Sequence, residues 1–107
     1  MERSEEFAVS LLGYIERNDH DGVGLYRSEL RKLFEDDPGS KDVSEDQKWV
    51  VADYHLRLLE SAGFVTRDPD SEGKNDLDNY ELTWAGHEYF EKNAPSDFVG
   101  IFDVHFP

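Results

Sequence analysis

The loop at residues 68–79, DPDSEGKNDLDN, spaces its oxygen-bearing side chains as calcium ligands are spaced. Its first, third, fifth, sixth and ninth positions hold Asp68, Asp70, Glu72, Gly73 and Asp76. A calcium loop is closed by a bidentate glutamate at the twelfth position and is flanked by helices. The twelfth residue here is Asn79, which has no carboxylate, and the flanking segments predict strands. We therefore interpret this segment as an acidic loop and keep a calcium-responsive module as the weakest hypothesis.

The remaining reactive residue types give little basis for catalysis. The chain has no cysteine, which excludes disulfides, zinc–thiolate sites and thiol chemistry. The four histidines are His20, His55, His87 and His105. They show no metal-binding spacing, and no nucleophile or phosphate-loop motif is present. We predict a protein that is not an enzyme and that needs no cofactor or metal.

The formal charge is −14, from 25 acidic against 11 basic residues, and the acids are distributed along all 107 residues. With 37% hydrophobic and 13% aromatic residues, the chain has the composition of one folded domain. Two readings of the charge remain open. It is an adaptation to solubility or to a saline cytoplasm, or it is a surface that avoids or imitates nucleic acid.

Capping signals and apolar spacing predict two helices in the first half of the chain. Ser4 is the expected N-cap of the first, and the turn-forming run NDHDGVG at residues 18–24 follows it. A short strand at Leu25–Tyr26 then leads to a second helix capped by Ser28. The side chains that this helix is expected to bury are Leu30, Leu33 and Phe34.

A long third helix is predicted to begin at a capping box of Ser44 and Gln47 and to end at Gly63. At about 100° per residue one arc is apolar and is expected to face the core. It consists of Val51, Ala52, Tyr54, His55, Leu56, Leu58, Leu59 and Ala62. The opposite arc consists of Asp53, Arg57, Glu60 and Ser61, with Trp49 and Val50 at its edges. Since His55 lies in the apolar arc, we interpret it as a structural residue.

A β-hairpin and a last helix complete the pattern. FVTR at residues 64–67 and YELT at residues 80–83 predict two strands joined by a long polar tip. Thr83 is the expected cap of a helix at Trp84–Asn93. The order helix, strand, helix, helix, hairpin, helix predicts an α+β winged helix with a two- or three-stranded wing.

Two stretches resemble known families. YHLRLLESAGFV, residues 54–65, resembles a pattern common among winged-helix regulators. YELTWAGHEYF, residues 80–90, resembles the end of the domain of unknown function 2513, a family associated with phages and mobile elements. The second resemblance implies that Trp84, Gly86 and His87 define the fold by packing the last helix against the hairpin. It implies no established activity.

The outer face of the third helix favours a protein partner over DNA. It offers one arginine against two carboxylates, and phosphate contacts supply most of the affinity for nucleic acid. Our main hypothesis is a phage- or mobile-element-encoded protein that acts as a regulator or a nucleic-acid mimic. Its predicted contact residues are Trp49, Asp53, Arg57 and Glu60.

The alternative is a DNA-binding protein of the transcription-regulator kind, dimeric and working where salt screens its acids. The cations that would then face phosphates are Arg27, Arg31, Lys32, Arg57, Arg67 and Lys74.

The C-terminal segment, residues 94–107, is expected to be separate from the winged-helix domain at residues 1–93. It carries an apolar set consisting of Phe98, Ile101, Phe102, Val104 and Phe106. Such a patch either packs on its own domain or joins a second subunit in a homodimer. The sequence predicts no membrane contact and no signal peptide, which leaves the cytoplasm as the expected location.

Overall fold

The computed structural model describes residues 1–95 as four helices and a three-stranded antiparallel sheet. The helices are α1 (Glu5–Asn18), α2 (Arg27–Asp36), α3 (Lys48–Ser61) and α4 (Trp84–Asn93). The strands are β1 (Leu25–Tyr26), β2 (Val65–Asp68) and β3 (Asn79–Leu82). The order of elements is the predicted one, and the open choice between two and three strands resolves to three.

The sheet joins the start of α2 to the hairpin. Strands β2 and β3 pair from Val65 opposite Leu82 to Asp68 opposite Asn79, and we call residues 65–82 the wing. On its other edge β3 pairs with β1, which continues into α2 without a loop. The wing and α2 are therefore held in a fixed relation by backbone hydrogen bonds.

One core lies between the helices and the sheet. Its buried side chains include Leu11, Leu12 and Ile15 of α1, Leu30 and Phe34 of α2, Ala52, Leu56 and Leu59 of α3, and Val65, Tyr80 and Phe90. Every helix contributes to this core, so the outer sides of α2 and α3 are positioned by burial of their inner sides.

The start of α1 is fixed to α3. Ser4 caps α1 as predicted, with its hydroxyl accepting a hydrogen bond from the Phe7 amide at 3.2 Å. The Ser4 amide donates to Nε2 of the buried His55 at 2.9 Å, and Nδ1 of that ring lies 2.8 Å from the Val51 carbonyl oxygen. A carbonyl can only accept, so Nδ1 is the donor to Val51 while Nε2 accepts from the Ser4 amide. His55 is thus structural, as predicted.

Two predicted helix starts are wrong. Helix α2 begins at Arg27, and Ser28 lies exposed in its first turn, because Tyr26 is still extended and serves as the N-cap. The Tyr26 amide donates to Glu29 at 3.0 Å. Ser44 makes no side-chain cap; its carbonyl oxygen accepts from the Gln47 amide at 2.9 Å in a 3₁₀ turn. Helix α3 therefore begins one turn later than predicted.

The predicted apolar arc of α3 is confirmed except at its end. Ala52, His55, Leu56 and Leu59 are buried, while the remaining members are half-buried apart from Ala62. Ala62 is exposed because the helix ends at Ser61 and the chain turns at Gly63 (φ +80°). A left-handed glycine after the helix is the predicted ending.

Helix α4 approaches the hairpin closely at one residue, Gly86. A β-carbon added there would lie 2.0 Å from the Phe64 carbonyl oxygen. Thr83 caps the helix as predicted, with its hydroxyl accepting from the Gly86 amide at 3.0 Å. The packing role that we gave to Trp84 and His87 is wrong, since both side chains are exposed and Trp84 is 82% accessible.

The predicted apolar set at Phe98, Ile101, Phe102, Val104 and Phe106 lies outside the described residues. Its packing or dimer role stays a prediction. Of the helices within residues 1–95, none has the length and apolar character that a membrane span requires.

Candidate functional site

The outer side of α3 and the adjacent wing carry the predicted contact residues. Trp49, Asp53, Arg57 and Glu60 follow one another at spacings of four, four and three residues, which places them on one side of a helix. Trp49 and Arg57 are exposed, whereas Asp53 and Glu60 are half-buried. We call these four residues together with the wing the α3–wing face.

Asp53 is half-buried because two arginines of α2 converge on its carboxylate. Arg31 donates from Nε to Oδ1 at 3.0 Å and from Nη2 to Oδ2 at 2.6 Å, which is a two-point contact. Nη1 of Arg27 lies 3.5 Å from the same Oδ1. The hydrogen bonds to Asp53 are also the main reason that the pKa of Arg31 is raised. Arg27 and Arg31 are four residues apart on α2, so both reach the same point on α3.

The same two arginines reach the wing. Nη1 of Arg31 donates to Asp76 at 2.6 Å, and Nη2 of Arg27 donates to Asp78 at 2.9 Å. All three nitrogens of the Arg31 guanidinium are therefore hydrogen-bonded to carboxylates. Arg27 and Arg31 connect α2, α3 and the wing in one network.

Asp78 is the most buried member of this network. Its Oδ1 accepts from the Asp70 amide at 3.0 Å and its Oδ2 from Arg27, while Arg67 lies 3.4 Å away. Its backbone carbonyl oxygen also accepts from the Arg27 amide at 2.8 Å. The Asp70 amide and then the two arginines hold the pKa of Asp78 below its ordinary value, against the opposing effect of burial.

Arg67 of β2 also joins the network, by contacting both Asp78 and Glu60 of α3. Its Nε donates to Glu60 of α3 at 3.1 Å, and this bond is the main cause of the raised pKa of Arg67. Glu60, like Asp53, is therefore neutralised by an arginine of the same chain.

Trp49 projects from the α3–wing face but is held in place by polar contacts. Its indole Nε1 donates to Glu35 at 3.0 Å, and the Arg31 guanidinium lies 5.2 Å from the ring centroid. Half of its surface remains accessible. Such a fixed, half-exposed aromatic side chain contacts a partner at little cost in conformational entropy.

The other cations proposed to face phosphate differ in their pairing. Lys32 lies 3.6 Å from Asp36, and Lys74 lies 3.9 Å from Glu72; all four side chains are exposed, so these pairs are weak. Within residues 1–95, Arg57 takes part in no ion pair. Five of the six cations are thus paired with carboxylates of this chain, and Arg57 is the exception among the residues that the structure describes.

The calcium-like loop uses its carboxylates on its own chain. Asp70 accepts from the amides of Glu72 and Lys74, each at 3.1 Å, and Asp76 accepts from Arg31. In the part of the chain that the structure describes, no three carboxylate or imidazole groups come together as a metal site would require. The hypothesis of a calcium-responsive module gains no support from this geometry.

The arginine network was missed from the sequence because its partners are far apart along the chain. Arg31 and Asp53 are 22 residues apart, and Arg27 and Asp78 are 51 apart. The one local signal is the four-residue spacing of Arg27 and Arg31, which places both on one side of α2. Asp78 gives no signal, because it is one of many acids in a polar loop.

Comparison with solved structures identifies the fold. The chain is similar to two variants of S. aureus MepR, one of them bound to an oligodeoxyribonucleotide. The TM-scores are 0.58 and 0.56, and the sequence identity is 22% in both cases. The match covers 92% of this chain but only 58% and 57% of the MepR chains. No protein-family model and no curated protein sequence matches. The fold is the predicted α+β winged helix.

Proposed function

We propose that the chain is a winged-helix DNA-binding protein of the transcription-regulator kind and that α3 faces the duplex. The observation that carries the proposal is the likeness over 92% of the chain to MepR, which has been seen with an oligodeoxyribonucleotide. In helix-turn-helix proteins the second helix of the motif enters the major groove, and α3 occupies that place here. We therefore favour the DNA-binding hypothesis over the hypothesis of a protein partner.

Arg57 is the side chain of α3 that best supports contact with DNA. It is exposed on the outer side of the helix and, among the described residues, pairs with no carboxylate. An arginine in this place donates to a phosphate or to the O6 and N7 atoms of guanine. It needs no rearrangement of the ion-pair network to do so.

The net charge of −14 sets the strength of binding that we expect. Each phosphate neutralised by a cation contributes about −0.9 to the slope of log K against log salt concentration. With Arg57 available and the arginines of the network paired, we expect a shallow slope of about −1 to −2. A basic winged helix that makes many phosphate contacts would give a much steeper slope.

Fluorescence anisotropy of a labelled mixed-sequence duplex at about 50 mM salt tests the proposal. We expect Arg57→Ala to weaken binding about tenfold or more, because it removes a charged contact. Lys92→Ala is the matched control, since it removes one exposed cation from α4 and should change affinity by less than about twofold. Absence of binding at tens of micromolar protein, or equal effects of the two variants, contradicts the proposal.

A protein partner is the second candidate, and the pairing of five cations with internal carboxylates is the observation that favours it. This candidate includes the proposal that the chain is related to the phage-associated domain of unknown function 2513, which it resembles at residues 80–90. Reversing the charge of Asp53 or Glu60 would break the arginine network and is a poor test. Trp49→Ala is a cleaner one, with the exposed Trp84→Ala as its control. Loss of a co-purified partner in both variants alike would count against the α3–wing face.

A further inference from the structure

We infer that Asp53 competes with phosphate groups for Arg27 and Arg31. Its carboxylate pairs with these arginines as a nucleic-acid phosphate would, and it thereby weakens the binding of polyanions to this protein. The inference goes beyond the proposed function, because it concerns a restraint built into the α3–wing face. Only the part of its test that uses duplex DNA depends on the proposed function.

The geometry around Asp53 is that of an anion held by two arginines. Arg31 grips both carboxylate oxygens, at 3.0 and 2.6 Å, while Arg27 approaches one of them at 3.5 Å. Planar guanidinium groups recognise carboxylates and phosphates by the same paired hydrogen bonds. A phosphate would therefore find two preorganised arginines wherever the carboxylate of Asp53 gave way.

The site lies at the surface, where exchange of one anion for another is feasible. The side chains of Arg27, Arg31 and Asp53 keep 15, 13 and 23% of their surface accessible. The second partner of Arg31, Asp76, is far more exposed, at 65%. Exposed ion pairs contribute little to stability, so a polyanion can displace Asp76 from Arg31 at low cost. The less accessible two-point contact with Asp53 is the stronger restraint.

Removal of the Asp53 charge would leave both arginines in place. Arg27 keeps its hydrogen bond to the buried Asp78, and its backbone amide stays bonded to the Asp78 carbonyl oxygen. Arg31 keeps Asp76. Asp53→Asn should therefore weaken the hold on Nε and Nη2 of Arg31 and on Nη1 of Arg27, without displacing α2 from the wing.

The test compares Asp53→Asn with Asp42→Asn in the full-length chain. Asp42 is an exposed carboxylate of the loop before α3 that has no ion pair within residues 1–95, so both variants remove one negative charge. Inorganic polyphosphate is the first probe, because it presents phosphates without a groove or bases. A mixed-sequence DNA duplex is the second probe.

We expect Asp53→Asn to bind polyphosphate at least fivefold more tightly than Asp42→Asn, with a salt slope steeper by about one to two. Adding Arg31→Ala to Asp53→Asn should remove most of the gain, because Arg31 makes the two-point contact with Asp53 and Arg27 only the longer one. If Asp53→Asn does not fold, Asp76→Asn takes its place, since Asp76 is exposed and releases one nitrogen of Arg31.

Equal affinities of Asp53→Asn and Asp42→Asn for polyphosphate overturn the inference, as does a gain that Arg31→Ala leaves undiminished. The two proposals fail separately. Tighter polyphosphate binding by Asp53→Asn, with no duplex binding by the wild type, supports competition by Asp53 and defeats the proposed function. Duplex binding by the wild type with equal polyphosphate affinities does the reverse.

Discussion

At the scale of single residues, Asp78 links α2 to both strands of the wing, although nothing in the sequence distinguishes it from the other acids of its loop. It accepts from the Asp70 amide, pairs with Arg27 and Arg67, and joins α2 to the wing through its own carbonyl oxygen. It is buried, and its carboxylate is stabilised in the charged form by the Asp70 backbone amide and the two arginine side chains. The wing is therefore held in place by a carboxylate whose ionisation matters for stability.

Asp78→Asn should lower the free energy of unfolding by about 2 kcal/mol at neutral pH, because hydrogen bonds to a charged group are lost. The pKa of Asp78 is lowered in the folded state, so its stabilisation is complete above the unfolded value of about 4 and is lost as the pH falls through the folded value. The difference between wild type and variant should thus shrink below about pH 4.

Urea denaturation at several pH values measures this difference, with Asp42→Asn as the control for loss of a charge. A variant as stable as that control at pH 7 would show that the Asp78 contacts contribute nothing.

At the scale of elements, local signals predicted the helix ends that depend on local chemistry. The caps at Ser4 and Thr83 and the turn at Gly63 are made by neighbouring residues and were read correctly. The expected caps at Ser28 and Ser44 failed because the preceding backbone decides where each helix begins. Strand β1 runs directly into α2, and a 3₁₀ turn precedes α3. The ion pairs between elements had a single local signal, the four-residue spacing of Arg27 and Arg31 on α2.

Gly86→Ala separates the packing of α4 from its intrinsic helix propensity. Propensity alone predicts that alanine in a helix stabilises by about 1 kcal/mol. The 2.0 Å approach to the Phe64 carbonyl oxygen predicts the opposite sign, with a loss of about 2 kcal/mol or more because the helix must move off the hairpin. Thermal denaturation decides between the signs, and a raised midpoint would contradict the close packing of α4.

At the scale of the whole molecule, the fold and the charge point to different partners. The proposed DNA-binding function rests on the winged-helix fold, whereas a charge of −14 opposes contact with a polyanion. The ion-pair network reduces this conflict, because four carboxylates on or near α3 are paired with arginines. They are Asp53, Glu60, Asp76 and Asp78. Trp49 and Arg57 remain exposed on the outer side of α3, and the central claim is that this side contacts the duplex.

The most direct test of that claim uses the two tryptophans, which lie on different elements. Trp49 is half-exposed on α3 and Trp84 is exposed on α4, so their two indole N–H signals report on separate surfaces. A nitrogen–proton NMR titration with a DNA duplex should shift or broaden the Trp49 signal and leave that of Trp84 unchanged. A duplex that moves Trp84 alone, or moves neither signal at tens of micromolar protein, would contradict the account.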